Sequence, residues 1–241
     1  MAKLKGILFD YGHTLVWFPQ YEKTHLIATK NAQEVLQGLG VSVEASRLRS
    51  LVEGFAYRTD GVVVGMKEEF LEIFSTLGVK GYNQYDLKEI IQAWWKPYIQ
   101  QARVRKGAKE LLECLKMMKF KIGIVANIWG AGMNPVLERL GLGEFFDVTV
   151  ASIDVGFQKP DPRIFHLALN NLGLAPEETI MVGDNPKTDI QAAHDIGMAT
   201  VRLMRGPNRA KPDIVKADFK IKNLSTLTTI VCRHGHSRSL G

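Results

Sequence analysis

Gly6-Ile7-Leu8-Phe9-Asp10-Tyr11-Gly12-His13-Thr14-Leu15 decides how the rest of the chain is read. A run of apolar residues stops at a carboxylate, followed by a glycine and a hydroxyl, which predicts a buried strand delivering one acid to the tip of a sheet. Held on a rigid element and partly shielded from water, an Asp there can act as a nucleophile or bind a cation. Gly12 lets the backbone turn sharply and brings its carbonyl close to whatever Asp10 binds. Taken alone, the stretch reads equally well as a strand closed by an Asx turn. Its neighbours along the chain favour the first reading.

Downstream of residue 101 the pattern alternates. Helices are expected at 107–119, 134–140, 162–172 and 188–196, and strands at 121–127, 147–151, 179–183, 199–203 and 218–221. Asp161 before Pro162 is a good N-cap followed by proline at the first helical position. Strands alternating with helices imply an α/β fold, a parallel sheet with helices on both faces and a site beyond the carboxyl ends of the strands.

Between these parts, residues 18–101 carry helical spacing throughout, with helices expected near 23–37, 43–57, 66–77 and 85–98. Leu26, Ile27, Val35 and Leu36 are the apolar candidates of the first, and Trp94 and Trp95 belong to a packing stripe in the last. A bundle inserted directly after Asp10 is placed to act as a lid. Trp17, Phe18, Tyr57, Arg58 and Lys67 are its candidates for substrate contact. The expected domains are therefore a core of 1–17 and 102–241 and a helical insertion of 18–101. The polar tail from Arg233, with His234 and His236, reads as a frayed end rather than a metal site.

Composition narrows the function classes. Among 241 residues, 46% hydrophobic and 23% charged is ordinary for a globular chain, and Lys+Arg of 31 against Asp+Glu of 25 gives +6. That excess fits an anionic substrate. Arg202, Arg205, Arg209, Lys211, Lys216, Lys220 and Lys222 crowd one region, but Asp213 and Asp218 interrupt them, so a solvated face is expected there and no nucleic-acid partner. Cys114 and Cys232 have no paired spacing, which implies a reducing, cytoplasmic setting without a zinc site. No signal peptide and no membrane span is expected. Monomer and homodimer both remain open.

Four sites fall at one edge of the expected sheet: Asp10, Asn127, Lys159, and Asp184 with Asp189. Converging carboxylates repel unless cations sit among them. One lysine and a divalent ion answer that need, and a few carboxylates, a backbone carbonyl and water suit magnesium.

These segments resemble the motifs of the haloacid dehalogenase superfamily: Phe9 to Leu15 its first, Ile124-Val125-Ala126-Asn127 its second, Lys159-Pro160-Asp161-Pro162 its third, and Val182-Gly183-Asp184 through Asp189 its fourth. The likeness covers nearly the whole chain outside the insertion. It implies a Rossmann-like three-layer α/β/α core with a helical cap, and magnesium-dependent hydrolysis of a small phosphorylated metabolite through an aspartyl-phosphate. By the same resemblance Asp10 is the nucleophile, while Asp10, the Gly12 carbonyl, Asp184 and Asp189 surround Mg2+. Lys159 neutralises phosphate, and Ala126 and Asn127 sit at the phosphate contact. Asp189 reads also as a helix N-cap.

Two residues depart from the family pattern. Gly12 occupies the place where the phosphatases carry an Asp general acid, leaving His13 as a stand-in against the alternative of a polar turn residue. Ala126 replaces a hydroxyl residue, so Asn127 and backbone amides would have to cover that contact. The first departure keeps a metal-free 2-haloacid dehalogenase as an alternative, and both together keep a phosphate-binding non-enzyme.

Overall fold

The structure, a computed structural model, describes residues 3–56, 63, 65–128 and 133–235. Its strands are β1 (Gly6–Phe9), β2 (Val16–Trp17), β3 (Arg103–Val104), β4 (Lys121–Ala126), β5 (Val148–Ala151), β6 (Thr179–Gly183), β7 (Ala199–Leu203) and β8 (Phe219–Ile221). Its helices are α1 (Tyr21–Gly38), α2 (Ala45–Ala56), α3 (Met66–Leu77), α4 (Gln84–Gln101), α5 (Ala108–Met117), α6 (Asn134–Arg139), α7 (Ser152–Val155), α8 (Pro162–Leu172), α9 (Ala192–Asp195) and α10 (Ser225–Gly235). The chain divides into two compact units. One comprises Met1–Trp17, Arg103–Asn127 and Leu140–Gly241, the other Phe18–Ala102 with Ile128–Arg139.

The first unit is built on a six-stranded sheet in the order β5-β4-β1-β6-β7-β8, every pair parallel. β1 therefore lies at the switch between two directions of winding, where an open α/β sheet forms its crevice. All four β1 residues are buried, as expected of a central strand covered on both faces. Leu8, Val125 and Met181 meet Ile164, Phe165 and Ala168 of α8 and Ala193 of α9. Ile7, Phe9, Ile122 and Ile124 point to the opposite face and are equally buried. α8 begins as its sequence dictates, with Asp161 accepting from Arg163 N at 2.9 Å and Pro162 at the first position. β2 and β3, a two-stranded antiparallel pair, carry the chain out of this unit and back into it.

The second unit is held by a largely apolar core. Leu36, Leu48, Phe70, Ile73, Phe74, Ile90 and Trp94 are its fully buried centre, contributed by α1 to α4. α4 starts with a reciprocal cap, Asn83 accepting from Tyr85 N and Asp86 while Asp86 accepts from Asn83 N at 2.7 Å.

Several expectations need correction. In α1 the buried face is Thr24, His25, Ala28, Thr29, Ala32 and Leu36, whereas Leu26 and Ile27 are exposed. The small residues let α1 lie close to α4, with which it makes its main contact. The expected helix over 188–196 is a π-helical turn, Pro186–Gln191, leading into α9. Arg233 is not in a frayed tail, because α10 runs to Gly235 and buries Leu227 and Val231 one turn apart. Its Thr226, Thr228, Thr229, Ile230 and Val231 are β-branched and hide the helical period. Arg202 is not on a solvated face but fully buried. Tyr57, Arg58 and His236 lie outside the described residues.

Candidate active site

β1 and β6 are neighbours in register, Phe9 opposite Val182, and Asp10 N donates to Val182 O at 2.9 Å. Asp10 and Asp184, each following the end of its strand, therefore emerge side by side. β4 flanks β1 on the other side and brings Asn127 to the same edge. One oxygen each of Asp10, Asp184 and Asp189 lies within 4.8 Å of the others.

Lys159 threads this cluster. Its Nζ donates to Asp10 Oδ1 and to Asp189 Oδ1, both at 2.7 Å, and all three side chains are buried. Asn127 fixes the lysine's backbone, Oδ1 accepting from Lys159 N and Nδ2 donating to Lys159 O, each at 2.7 Å. Asp10 Oδ2 accepts from Thr14 Oγ1 at 2.9 Å. Asp189 Oδ2 accepts from Asn185 N at 2.9 Å, so the fourth-motif loop closes on its own acid. Gly183 permits this approach, since a Cβ there would overlap the Asp189 carboxylate.

The electrostatics record how incomplete the compensation is. Burial raises the Asp10 carboxyl to about 6, against the lowering effect of Lys159 and with a further rise from Asp189. Burial, then Asp10 and Asp189, raise Asp184 to about 7. Burial works against the Lys159 ammonium, but the two carboxylates outweigh it and raise its pKa, so it stays charged. Three acids around one lysine leave negative charge unanswered in a shielded place.

The donor set fits a hard divalent cation. Asp10 and Asp184 offer carboxylate oxygens beside one another, and such a cation would offset the burial cost that raises both pKa values. Asp189 has both oxygens engaged by Lys159 and Asn185 N. It stands behind Lys159 as much as beside a cation.

The remaining expected residues are placed as follows. Gly12 bridges to Val16, and a side chain at Gly12 would meet nothing within 4 Å. His13 has φ of 60°, its N–H donates to Val16 O at 2.7 Å and its carbonyl accepts from Arg105. Burial, then Arg105, hold the imidazole below its ordinary pKa. Ala126 is buried at the end of β4, opposite Ala151 of β5.

Sequence reasoning missed Asn208, whose Nδ2 donates to Asp184 Oδ2 at 3.1 Å. Buried Arg202 holds the loop that delivers it, donating to Asn208 O at 2.9 Å and Lys211 O at 2.7 Å and pairing with Asp213. Only the adjacency of β6 and β7 brings these groups together, and no local spacing announces it. Thr14, four residues after Asp10, was visible in the opening stretch.

The family profile of the haloacid dehalogenase-like hydrolases matches residues 53–203. The glyceraldehyde 3-phosphate phosphatase of Methanocaldococcus jannaschii is 28% identical over 95% of this chain and 97% of its own length. The ribulose-1,5-bisphosphate 5-phosphatase of Halopiger xanaduensis is 27% identical over 94% of this chain and 98% of its own. Among solved structures, a HAD phosphatase from Thermococcus onnurineus superposes with a TM-score of 0.67 at 24% identity, covering 95% of this chain and 98% of that one.

Proposed function

Because the chain belongs to the haloacid dehalogenase-like hydrolases, we propose that it is a magnesium-dependent phosphatase of a small phosphorylated metabolite, with Asp10 as its nucleophile. The observation that carries this reading is the cluster of three carboxylates threaded by one buried lysine. Full-length similarity to phosphatases of small sugar phosphates supports the substrate class.

An Asp10 oxygen attacks phosphorus, the bond to the ester oxygen breaks, and the alcohol leaves with its electron pair and takes up a proton. Water then hydrolyses the aspartyl-phosphate, releasing phosphate and restoring the carboxylate. Thr14 holds one Asp10 oxygen in place and Lys159 the other. The Lys159 charge lies where negative charge accumulates in transfer, an effect of about 10²–10³ in rate for comparable groups. Asp189 keeps that ammonium aimed, and Asn127 keeps its backbone fixed. Both polar atoms of the Asn127 side chain already engage Lys159, so we assign phosphate contacts beside Ala126 to backbone amides.

Asp10, Asp184 and the Gly12 carbonyl would hold Mg2+, with Asp189 behind them, and the bound ion supplies positive charge to the phosphoryl oxygens. A metal-free dehalogenase has no use for Asp184, whose burial makes it costly to keep as an anion. We read the helical unit as the cap, since it is inserted directly after the Asp10 loop. Two unpaired cysteines support a cytoplasmic setting.

Para-nitrophenyl phosphate, whose leaving group needs little protonation, tests the core of this reading. Turnover should require Mg2+ and fall about a thousandfold or more in Asp10→Asn. Turnover that survives this change overturns the mechanism.

A further inference from the structure

A cavity of about 560 Å³ in the first unit is lined by Arg105, Lys106, Arg205 and Lys222, with Glu110 as its one acid among the described residues. An adjoining hollow shares Arg205 and Lys222 and adds Arg209 with no carboxylate. Neither is lined by Asp10, Lys159, Asp184 or Asp189.

The two arginines at its heart are anchored by neutral acceptors. Arg105 donates to Thr14 O at 3.0 Å and to His13 O. Arg205 donates to Lys222 O at 2.7 Å and to Asn223 Oδ1 at 3.0 Å. Carbonyl oxygens order a guanidinium without cancelling its charge, so each fork is preorganised and keeps unused N–H groups. The pair is close enough that burial, then Arg205, lower the pKa of Arg105, an effect that Asp184 offsets only in part. Like charges held together in this way are relieved by an anion between them, and the guanidinium fork matches a tetrahedral oxyanion. α10 begins at Ser225 on the cavity wall and adds partial positive charge.

We propose that this cavity is a second oxyanion site, separate from Asp10, that takes a phosphate dianion, either inorganic phosphate or the phosphate group of a small metabolite. The site does not depend on the chain being a phosphatase. Its volume exceeds what one phosphate fills, leaving room for an organic remainder.

Equilibrium dialysis of the full chain against labelled inorganic phosphate, at low ionic strength with Mg2+, reads the number bound. The wild type should bind one more phosphate per chain than Lys106→Gln/Lys222→Gln, whose affinity at this site should be at least about tenfold weaker. Both lysines are exposed and neither belongs to the Asp10 cluster, and matching thermal melts confirm that folding is intact. Lys106→Arg/Lys222→Arg, which keeps the charge, should bind as the wild type does. Equal stoichiometry in the wild type and the Gln variant overturns the proposal, and so does equal loss in the Gln and Arg variants. In the Asp10→Asn chain, displacement of this phosphate by glycerol 2-phosphate assigns the site to phosphorylated metabolites. Retention against that competitor assigns it to free phosphate.

Discussion

The carboxyl edge of the sheet and the core of the helical unit are both buried, yet by opposite chemistry. In the helical unit burial is mainly apolar and aromatic: Phe70 meets Trp94 edge-on at 6.3 Å, Phe74 meets Tyr82 at 4.8 Å, and buried His25 lies 2.6 Å from the Tyr98 hydroxyl. These contacts leave no charge to be balanced, although the buried Trp94 Nε1 finds no hydrogen-bond partner among the described residues. At the sheet edge, Asp10, Asp184 and Asp189 share one lysine, and burial opposes the charge that each of the first two must carry. A region whose balance is left open within the chain is one arranged for something from outside it.

The sharpest way to break this contrast is to remove Lys159, the one cation at the centre of the cluster among the described residues. Lys159→Met should lower turnover by about 10²–10³ and destabilise the chain by about 3–5 kcal/mol, because Asp10 and Asp189 are left facing each other unpaired. Trp94→Ala should cost a similar amount, about 3–5 kcal/mol, through lost packing. It should nevertheless leave turnover of para-nitrophenyl phosphate by the folded fraction within a few-fold. Urea unfolding and steady-state kinetics on both variants give the two numbers. If Lys159→Met keeps wild-type turnover, the lysine is structural and the contrast fails.

The next test uses pH. Asp184 has a folded pKa of about 7, above its ordinary value of 3.8. The folded chain therefore binds this proton more tightly than the unfolded chain. The resulting stability is fully present below about pH 4 and is lost as pH rises towards 7 and above. Without metal, Asp184→Asn should be more stable than the wild type at pH 8, by an amount on the order of 4 kcal/mol at most. The gap should close towards pH 4. Mg2+ should stabilise the wild type and not the variant. Thermal melts at stepped pH, with chelator and with Mg2+, decide it, and a difference that stays constant with pH contradicts the assigned cause.

The sequence-to-structure relation differs between the same two regions. At the sheet edge, strand ends were legible because apolar runs stop abruptly at polar residues, and the parallel fold with helices on both faces follows from that alternation. That Asp10 and Asp184 meet was an inference from topology, and the in-register β1–β6 pair shows the physical basis. Asn208 escaped notice and Arg202 was read as solvated because their roles exist only across β6 and β7, in an irregular loop with no period to read. In the helical unit the helices were legible but the buried face of α1 was not. Leu26 and Ile27 drew attention by hydrophobicity, while close packing against α4 selected Ala28, Ala32 and small hydroxyl residues. Thr24 and Thr29 become tolerable inside because their hydroxyls bond backward to the Gln20 and His25 carbonyls.

His13 offers the smallest and most selective effect. With Gly12 in place of an acid, a leaving alkoxide needs a proton from elsewhere, and the imidazole belongs to the same loop as Asp10. Burial and Arg105 hold it below its ordinary pKa, so its acid form is plentiful only on the acidic side of neutrality. His13→Ala should therefore slow alkyl phosphates by about tenfold or less near pH 5.5 and by less at pH 8, well short of full general-acid catalysis. Para-nitrophenyl phosphate, which leaves without help, should be nearly unaffected at both. Side-by-side pH profiles with an alkyl and an aryl ester measure the difference. Equal slowing of the two esters would show that the loop needs the His13 side chain for its shape alone, which the backbone bonds to Val16 and Arg105 argue against.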